Sequence, residues 1–251
     1  MIHGSRDASA LADARAILFD LDGVLTPTAE VHMRAWARLF APVLETHGVA
    51  PYTDADYFAH IDGKPRYDGV RSMLAARGID LPEGEPSDAA EADTVHGLGN
   101  RKDQAFTAEV DEHGVEPYPG SVAFLDAAEA AGLAVAVVTS SRNGRRVLAA
   151  AGLADRFGTI VDGVHAAAHG LAGKPSPATY VEGAQLLGLA PSQCVVVEDA
   201  HSGVAAGRAG GFLLTVGVDR GAGADSLLEH GADLVVDDLA ELIDSLPGGA
   251  A

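Results

Sequence analysis

The chain has 251 residues, 47% hydrophobic and 21% charged, which suits one large domain or a core with a smaller insert and excludes a disordered or fibrous chain. Lys and Arg number 17 against 36 Asp and Glu, a formal net charge of -19 that argues against nucleic acid and anionic lipid as partners. An anionic substrate must then meet a local cluster of positive charge, from a metal, a lysine or helix N-termini.

Residues 1–13 read as a loose polar lead-in without an apolar run of signal-peptide length. Ala16-Ile17-Leu18-Phe19 is a short apolar run that ends in Asp20-Leu21-Asp22-Gly23, a buried strand followed by a turn. From Thr28 to about Glu45 the pattern is helical, with Val31, Ala35, Leu39 and Val43 on one stripe. Pro51, Gly63 with Pro65, and Pro82 with Gly84 and Pro86 punctuate further helices over about 53–60 and 66–77. A polar stretch from Ser87 to Glu112 reads as one more helix, carrying Asn100-Arg101-Lys102-Asp103. After Pro117 strands and helices alternate. Strands are expected at 133–138, 159–161, 193–197, 212–217 and 233–236, and helices at 119–131, 143–151, 177–187 and 201–209. Cys194, the one cysteine, lies in an apolar run and reads as a small buried hydrophobe.

This order predicts an α/β fold: a doubly wound, Rossmann-like parallel sheet with an inserted all-helical cap. The core is discontinuous, 1–26 plus 113–251, and the cap spans 27–112. No stretch reaches membrane-spanning length, and a cytoplasmic, monomeric protein is expected.

Ligands in such sheets bind at the carboxyl ends of the strands. Asp20 and Asp22 follow the first apolar run, Thr139, Ser140 and Ser141 the second, and Glu198 and Asp199 a later one; Lys174 stands in a Gly-Lys-Pro turn before a helix. Asp20 and Asp22 are two apart, so both side chains point the same way in an extended chain. Carboxylates so crowded call for a divalent cation, and oxygen-only ligands favour magnesium, with Glu198 ligating directly or through water. A phosphate is then the natural guest. Asp20 can attack phosphorus and form an acyl phosphate, Lys174 and Thr139 can offset charge on its oxygens, and Asp22 can shuttle the proton. Each element alone has a plainer reading: a turn capping a strand, a helix-cap hydroxyl, a solvated lysine, a helix N-terminus attracting acids. All of them in order, each near a strand end, point to phosphoryl chemistry.

Ile17 to Thr26, reading ILFDLDGVLT, resembles the first motif of the haloacid dehalogenase superfamily of phosphatases and mutases; Thr139, Lys174 and Glu198-Asp199 resemble its second, third and fourth. The segment Thr28-Ala29-Glu30-Val31-His32-Met33-Arg34-Ala35-Trp36 is similar to the start of the cap in the β-phosphoglucomutase-like subfamily. Gly63 and Arg66 resemble its cap loop, and Ser141, Arg142 and Asn143 its second phosphate-binding segment; Lys64 and Ser140 beside them are further substrate-binding candidates. The resemblance implies Asp20 as nucleophile and Asp22 as acid–base residue. It implies Mg2+ held by Asp20, the Asp22 carbonyl and Asp199, and Thr28 and His32 on the substrate side near the hinge. It also implies a small phosphorylated sugar as substrate, with β-glucose 1-phosphate converted to glucose 6-phosphate. Asp62 and Arg142 stand where the subfamily usually has lysines, and Pro27 where it has an aspartate. A sugar- or polyol-phosphate phosphatase is the alternative, and a non-catalytic phosphate-binding module a third reading.

Overall fold

The computed structural model describes residues 2–4 and 8–248. In chain order the elements are β1 (His3–Gly4), a 3-10 helix (Ala8–Asp13), β2 (Ala16–Phe19), α1 (Thr28–Thr46), α2 (Asp54–His60), α3 (Arg66–Ala76), α4 (Val95–His113), α5 (Pro119–Ala130), β3 (Ala134–Val138), α6 (Gly144–Ala150), β4 (Thr159–Val161), α7 (Gly163–Ala168), α8 (Ala178–Leu186), β5 (Cys194–Glu198), α9 (His201–Ala209), β6 (Leu214–Val218), α10 (Ala224–His230) and β7 (Leu234–Val236), with short 3-10 turns between and after them. The strands form one sheet in the order β1-β7-β6-β5-β2-β3-β4, parallel except for β1.

Alternation along each strand divides the core into two layers. Ile17, Phe19, Val137, Val195 and Val197 face a cluster built with Phe124 and Leu125 of α5 and Val147 and Leu148 of α6. Ala16, Leu18, Ala136, Val138, Cys194 and Val196 face Tyr180 and Ala184 of α8 and Ala206 of α9. Period-two side-chain alternation between two apolar faces produces this double winding. Between β2 and β3 the chain makes only helices among the described residues, and the first four of them, α1 to α4, form the insert. They carry their own apolar cluster around Trp36, Phe40, Leu44, Met73 and Leu98. Their hinge end is not separate, for Ala35 of α1 and Phe106 and Val110 of α4 belong to the main core cluster.

The structure departs from the sequence reading in three places. The expected polar lead-in instead places β1 against β7 and a 3-10 helix whose Leu11 is fully buried. The helix expected from Ser87 begins at Val95, because the Thr94 hydroxyl accepts the Gly97 N–H at 2.9 Å and fixes the first turn there. Two short helices, α7 and α10, had no apolar stripe to announce them; α7 is started by Asp162, whose carboxylate caps Val164 and His165. Among the described residues no helix is long and apolar enough to cross a membrane.

Candidate active site

Strand β2 lies between β3 and β5, with Phe19 in register with Val137 and Val197. Asp20, Thr139 and the Glu198-Asp199 pair therefore leave three adjacent strands at the same level. A cavity at that edge is lined by Asp20, Asp22, Thr139, Ser140, Glu198 and Asp199 below, and by His32, Asp62, Gly63, Arg66 and Lys102 of the helical insert above. The insert is thus a cap. The cavity is about 70 Å³, well below the roughly 300–1,000 Å³ of a typical small-molecule pocket, so the cap lies close on the core. A wider hollow of about 300 Å³ adjoins it beyond Arg66 and Arg142.

The lower wall is organised by Lys174. Its ammonium donates to Asp20 Oδ1 at 2.5 Å, to Glu198 Oε1 at 2.5 Å and to the Val138 carbonyl at 3.2 Å. Glu198 is held from every side: Oε1 also accepts the Tyr180 hydroxyl at 3.0 Å, and Oε2 accepts the N–H groups of Asp199 and Ala200, each at 3.0 Å. Burial opposes the charge on Lys174, but Asp20 and Glu198 raise its pKa above the usual lysine range. Asp20 is pushed up by burial, Lys174 pulls it back, and Glu198 and Asp22 push it up again.

Asp199 has no cation in ion-pair contact among the described residues. Its carboxyl is pushed well up by burial, then by Asp62, Glu198 and Asp20. Oxygens of Asp20, Glu198 and Asp199 all lie within 4.8 Å of one another. One lysine does not neutralise three carboxylates, and an all-oxygen donor set of this size fits a hard divalent cation. Gly23 makes the arrangement possible. Its φ is +87°, and a Cβ there would stand 1.7 Å from Asp199 Oδ2.

Asp22, expected to share a direction with Asp20, belongs to a different set of contacts. Its Oδ1 accepts the Thr28 hydroxyl at 2.5 Å and lies 3.4 Å from His32 Nε2, while Oδ2 accepts from Thr139 at 3.3 Å. Burial raises the Asp22 pKa, but His32, Thr28 and Lys102 together bring it down to about 2. His32 in turn stacks on Phe106, and its Nδ1 meets the ammonium of Lys102. Lys102 is 3% exposed and lies over the rings of Trp36 and Phe106 at 5.2 and 4.7 Å. Burial, with Arg66 adding to it, pushes its pKa down to about 7. The sequence reading passed Lys102 by. Leu98 and Phe106, one turn away on either side along α4, are both buried, and that spacing was the available signal.

The remaining expected residues fall into two groups. Arg66 Nη2 and Asn143 Nδ2 converge, at 2.5 and 2.6 Å, on Oδ1 of Asp103. Ser141 and Arg142 line the same end of the cavity, Arg142 with its side chain exposed. Ser140 Oγ donates to the Gly63 carbonyl at 2.8 Å, and Ser202 Oγ to the Asp62 carbonyl at 3.2 Å, docking the cap loop. Two residues expected on the substrate side are occupied elsewhere. Thr28 is 1% exposed, outside the cavity lining, with Asp22 and Thr26 as partners. Lys64 lines the cavity, but its ammonium is bound to the His60 carbonyl at 2.9 Å and Ser72 Oγ at 3.0 Å. Asp62 takes a place in the cavity wall instead. Burial and Glu198 raise its pKa to about 7, against a hydrogen bond from Tyr57.

A parallel sheet with a lysine-bound aspartate at its central strand end, a crowded acidic trio and a helical cap defines a phosphotransferase of the aspartate-nucleophile class. The chain belongs to the haloacid dehalogenase-like hydrolase family, whose profile matches residues 14–211. It is 49% identical over 240 residues to the β-phosphoglucomutase of Mycobacterium bovis, covering 91% of each chain. It is 32% identical to the hexitol phosphatase A of Escherichia coli over 232 residues, covering 91% of this chain and 93% of that one. Among solved structures it resembles a β-phosphoglucomutase from Clostridium difficile, with a TM-score of 0.73 and 25% identity over 91% of this chain and 93% of that one.

Proposed function

We propose that the chain is a phosphomutase of the β-phosphoglucomutase kind, converting β-glucose 1-phosphate to glucose 6-phosphate through a phosphoryl group carried on Asp20. The observation that carries this reading is that the cavity has two anion-seeking ends. Lys174 serves the end at Asp20, and Arg66 with Asn143 converge on one point at the other. A sugar that bears two phosphates in its intermediate needs both, and a simple phosphatase needs one.

The phosphorylated Asp20 gives its phosphoryl group to a hydroxyl of the sugar. The bond from phosphorus to the Asp20 oxygen breaks as the bond to the sugar oxygen forms. With its pKa near 2, Asp22 is ionised at neutral pH and takes the hydroxyl proton. The sugar then turns, Asp20 attacks the phosphate at the other position, and Asp22 returns the proton to the leaving oxygen. Lys174 holds Asp20 in line, and Thr139 holds the outer oxygen of Asp22. Asp20, the Asp22 carbonyl and Asp199 would hold Mg2+, with Glu198 behind them as the anchor of Lys174. The cation, when bound, supplies positive charge to the phosphoryl oxygens. The closed cap excludes water, the competing acceptor.

Incubation with Mg2+, β-glucose 1-phosphate and a trace of the bisphosphate, with glucose 6-phosphate and free phosphate measured together, tests the reading. Isomerisation faster than phosphate release is expected, and release without isomerisation would overturn it. Release is the outcome that the likeness to hexitol phosphatase A favours. Asp20→Ala is expected to abolish covalent phosphorylation.

A further inference from the structure

The convergence of Arg66 and Asn143 has an occupant. Asp103 of α4 presents Oδ1 to both, 2.5 Å from Arg66 Nη2 and 2.6 Å from Asn143 Nδ2. Arg66 comes from α3 in the cap, and Asn143 stands just before α6 in the core. Three elements thus meet at one carboxylate oxygen. The pairing is well enclosed, with the Arg66 side chain only 11% exposed and that of Asp103 31% exposed. It is also a charge-assisted contact of the strong kind, since an ionised acceptor is shared by a guanidinium and an amide.

We propose that Asp103 is a specificity-determining residue that competes for this anchor. Its carboxylate stands in for the substrate's non-reacting phosphate and must be displaced before a guest can bind. The inference rests on the reading of Arg66 and Asn143 as the second phosphate anchor. Two features of the site support it. First, Asp103 Oδ1 lies within hydrogen-bond distance of both donors, where a phosphate oxygen bound by the two would sit, so a guest that uses both must move it. Second, among the described residues the cations lining the cavity leave only the exposed Arg142 to offset a second anion there. The Lys64 ammonium is tied to His60 and Ser72, and Lys102 is turned to His32. A phosphate dianion placed against Asp103 would be repelled, so one anion leaves.

Selection follows from the exchange. A phosphate dianion brings more charge and more acceptor oxygens than the carboxylate that it replaces, and gains from both donors. A sugar hydroxyl is neutral and cannot compete with a carboxylate for a guanidinium. A carboxylate on a guest only equals what it displaces. Asp103 thereby sets a threshold that admits sugars phosphorylated at the far end and rejects others of the same shape. Oδ1 belongs to the cap and accepts from Asn143 of the core, so the contact that a phosphate would replace is also one that ties cap to core.

The test uses Asp103→Asn, which keeps the shape and removes the charge. Inorganic phosphate is titrated calorimetrically into the wild type, Asp103→Asn and Arg66→Ala, the last identifying the binding that belongs to the anchor. Asp103→Asn is expected to bind phosphate about fivefold or more tightly at the Arg66-dependent site. KM for β-glucose 1-phosphate should fall in parallel, with little change in kcat. A residue that merely props Arg66 would give the opposite sign. Weaker or unchanged phosphate binding, with the Arg66→Ala loss intact, therefore overturns the role of Asp103 alone. If Arg66→Ala loses no phosphate, the anchor itself and this inference fall together, while covalent phosphorylation of Asp20 reports separately on the chemistry. Asp103→Ser carries the same comparison should Asp103→Asn not fold.

Discussion

Core and cap each bury a lysine beside the cavity, and the two are held in opposite ways. Lys174 in the core donates to two carboxylates and a carbonyl, and its pKa is raised. Lys102 in the cap lies on two aromatic faces and against a histidine, makes no ion pair among the described residues, and has its pKa pushed down to about 7. The same side chain is thus a fixed charge in one region and a proton-exchanging group in the other. Partner chemistry decides between them, for both are buried.

The contrast can be broken by substitution. Lys174→Met should have the largest effect. It leaves Asp20 and Glu198 facing each other without their cation, at a cost of about 3–5 kcal/mol in denaturant unfolding. Turnover should fall at least about 10³-fold. Next comes the cation. Mg2+ at about 100 times its dissociation constant should stabilise the chain by roughly 2.7 kcal/mol in a thermal melt. Asp199→Asn should lose most of that gain, and Lys102→Met should keep it. If both variants keep it, the acidic trio is not the metal site.

Lys102→Met should raise the melting temperature by a few degrees, because it removes an unpaired buried ammonium, while turnover falls about 10- to 100-fold. A loss of stability like that of Lys174→Met would erase the distinction between the two lysines. The remaining effect lies in pH. Between about pH 7 and 10.5 the unfolded chain retains the Lys102 proton that the folded chain has released. Stability therefore rises with pH across that window through this group and is flat in it below pH 7. Comparing wild type with Lys102→Met by denaturation at several pH values should show that rise only in the wild type.

The division between the two lysines also marks what the sequence disclosed. Asp20, Thr139, Glu198 and Asp199 were legible because each ends an apolar run, and a parallel sheet brings such ends together. The cap offered no such rule. Its residues reach the cavity from α1, α3, α4 and a loop, and their meeting depends on how helices pack. Thr28 was read as a substrate contact but is turned to Asp22. Asp103 and Lys102 were part of a polar helix with no assigned role, and only the placement of α4 against α1 and α6 gave them partners. The first residues were misread because strand β1 is too short to show a period, and the 3-10 helix after it buries only Ala8 and Leu11, too few to show a stripe.

The docking of the cap loop has a consequence for how this chain can diversify. Ser140 and Ser202 grip main-chain carbonyls, those of Gly63 and Asp62, rather than side chains. Every residue carries a carbonyl, so an exchange at Asp62 or Lys64 alters the wall that a sugar touches without undoing the grip. Gly63 is the exception, since a Cβ there would stand 2.1 Å from Ser202 Oγ. The loop can therefore change its substrate vocabulary one residue at a time around a fixed glycine, while closure stays in the keeping of two serines from the core.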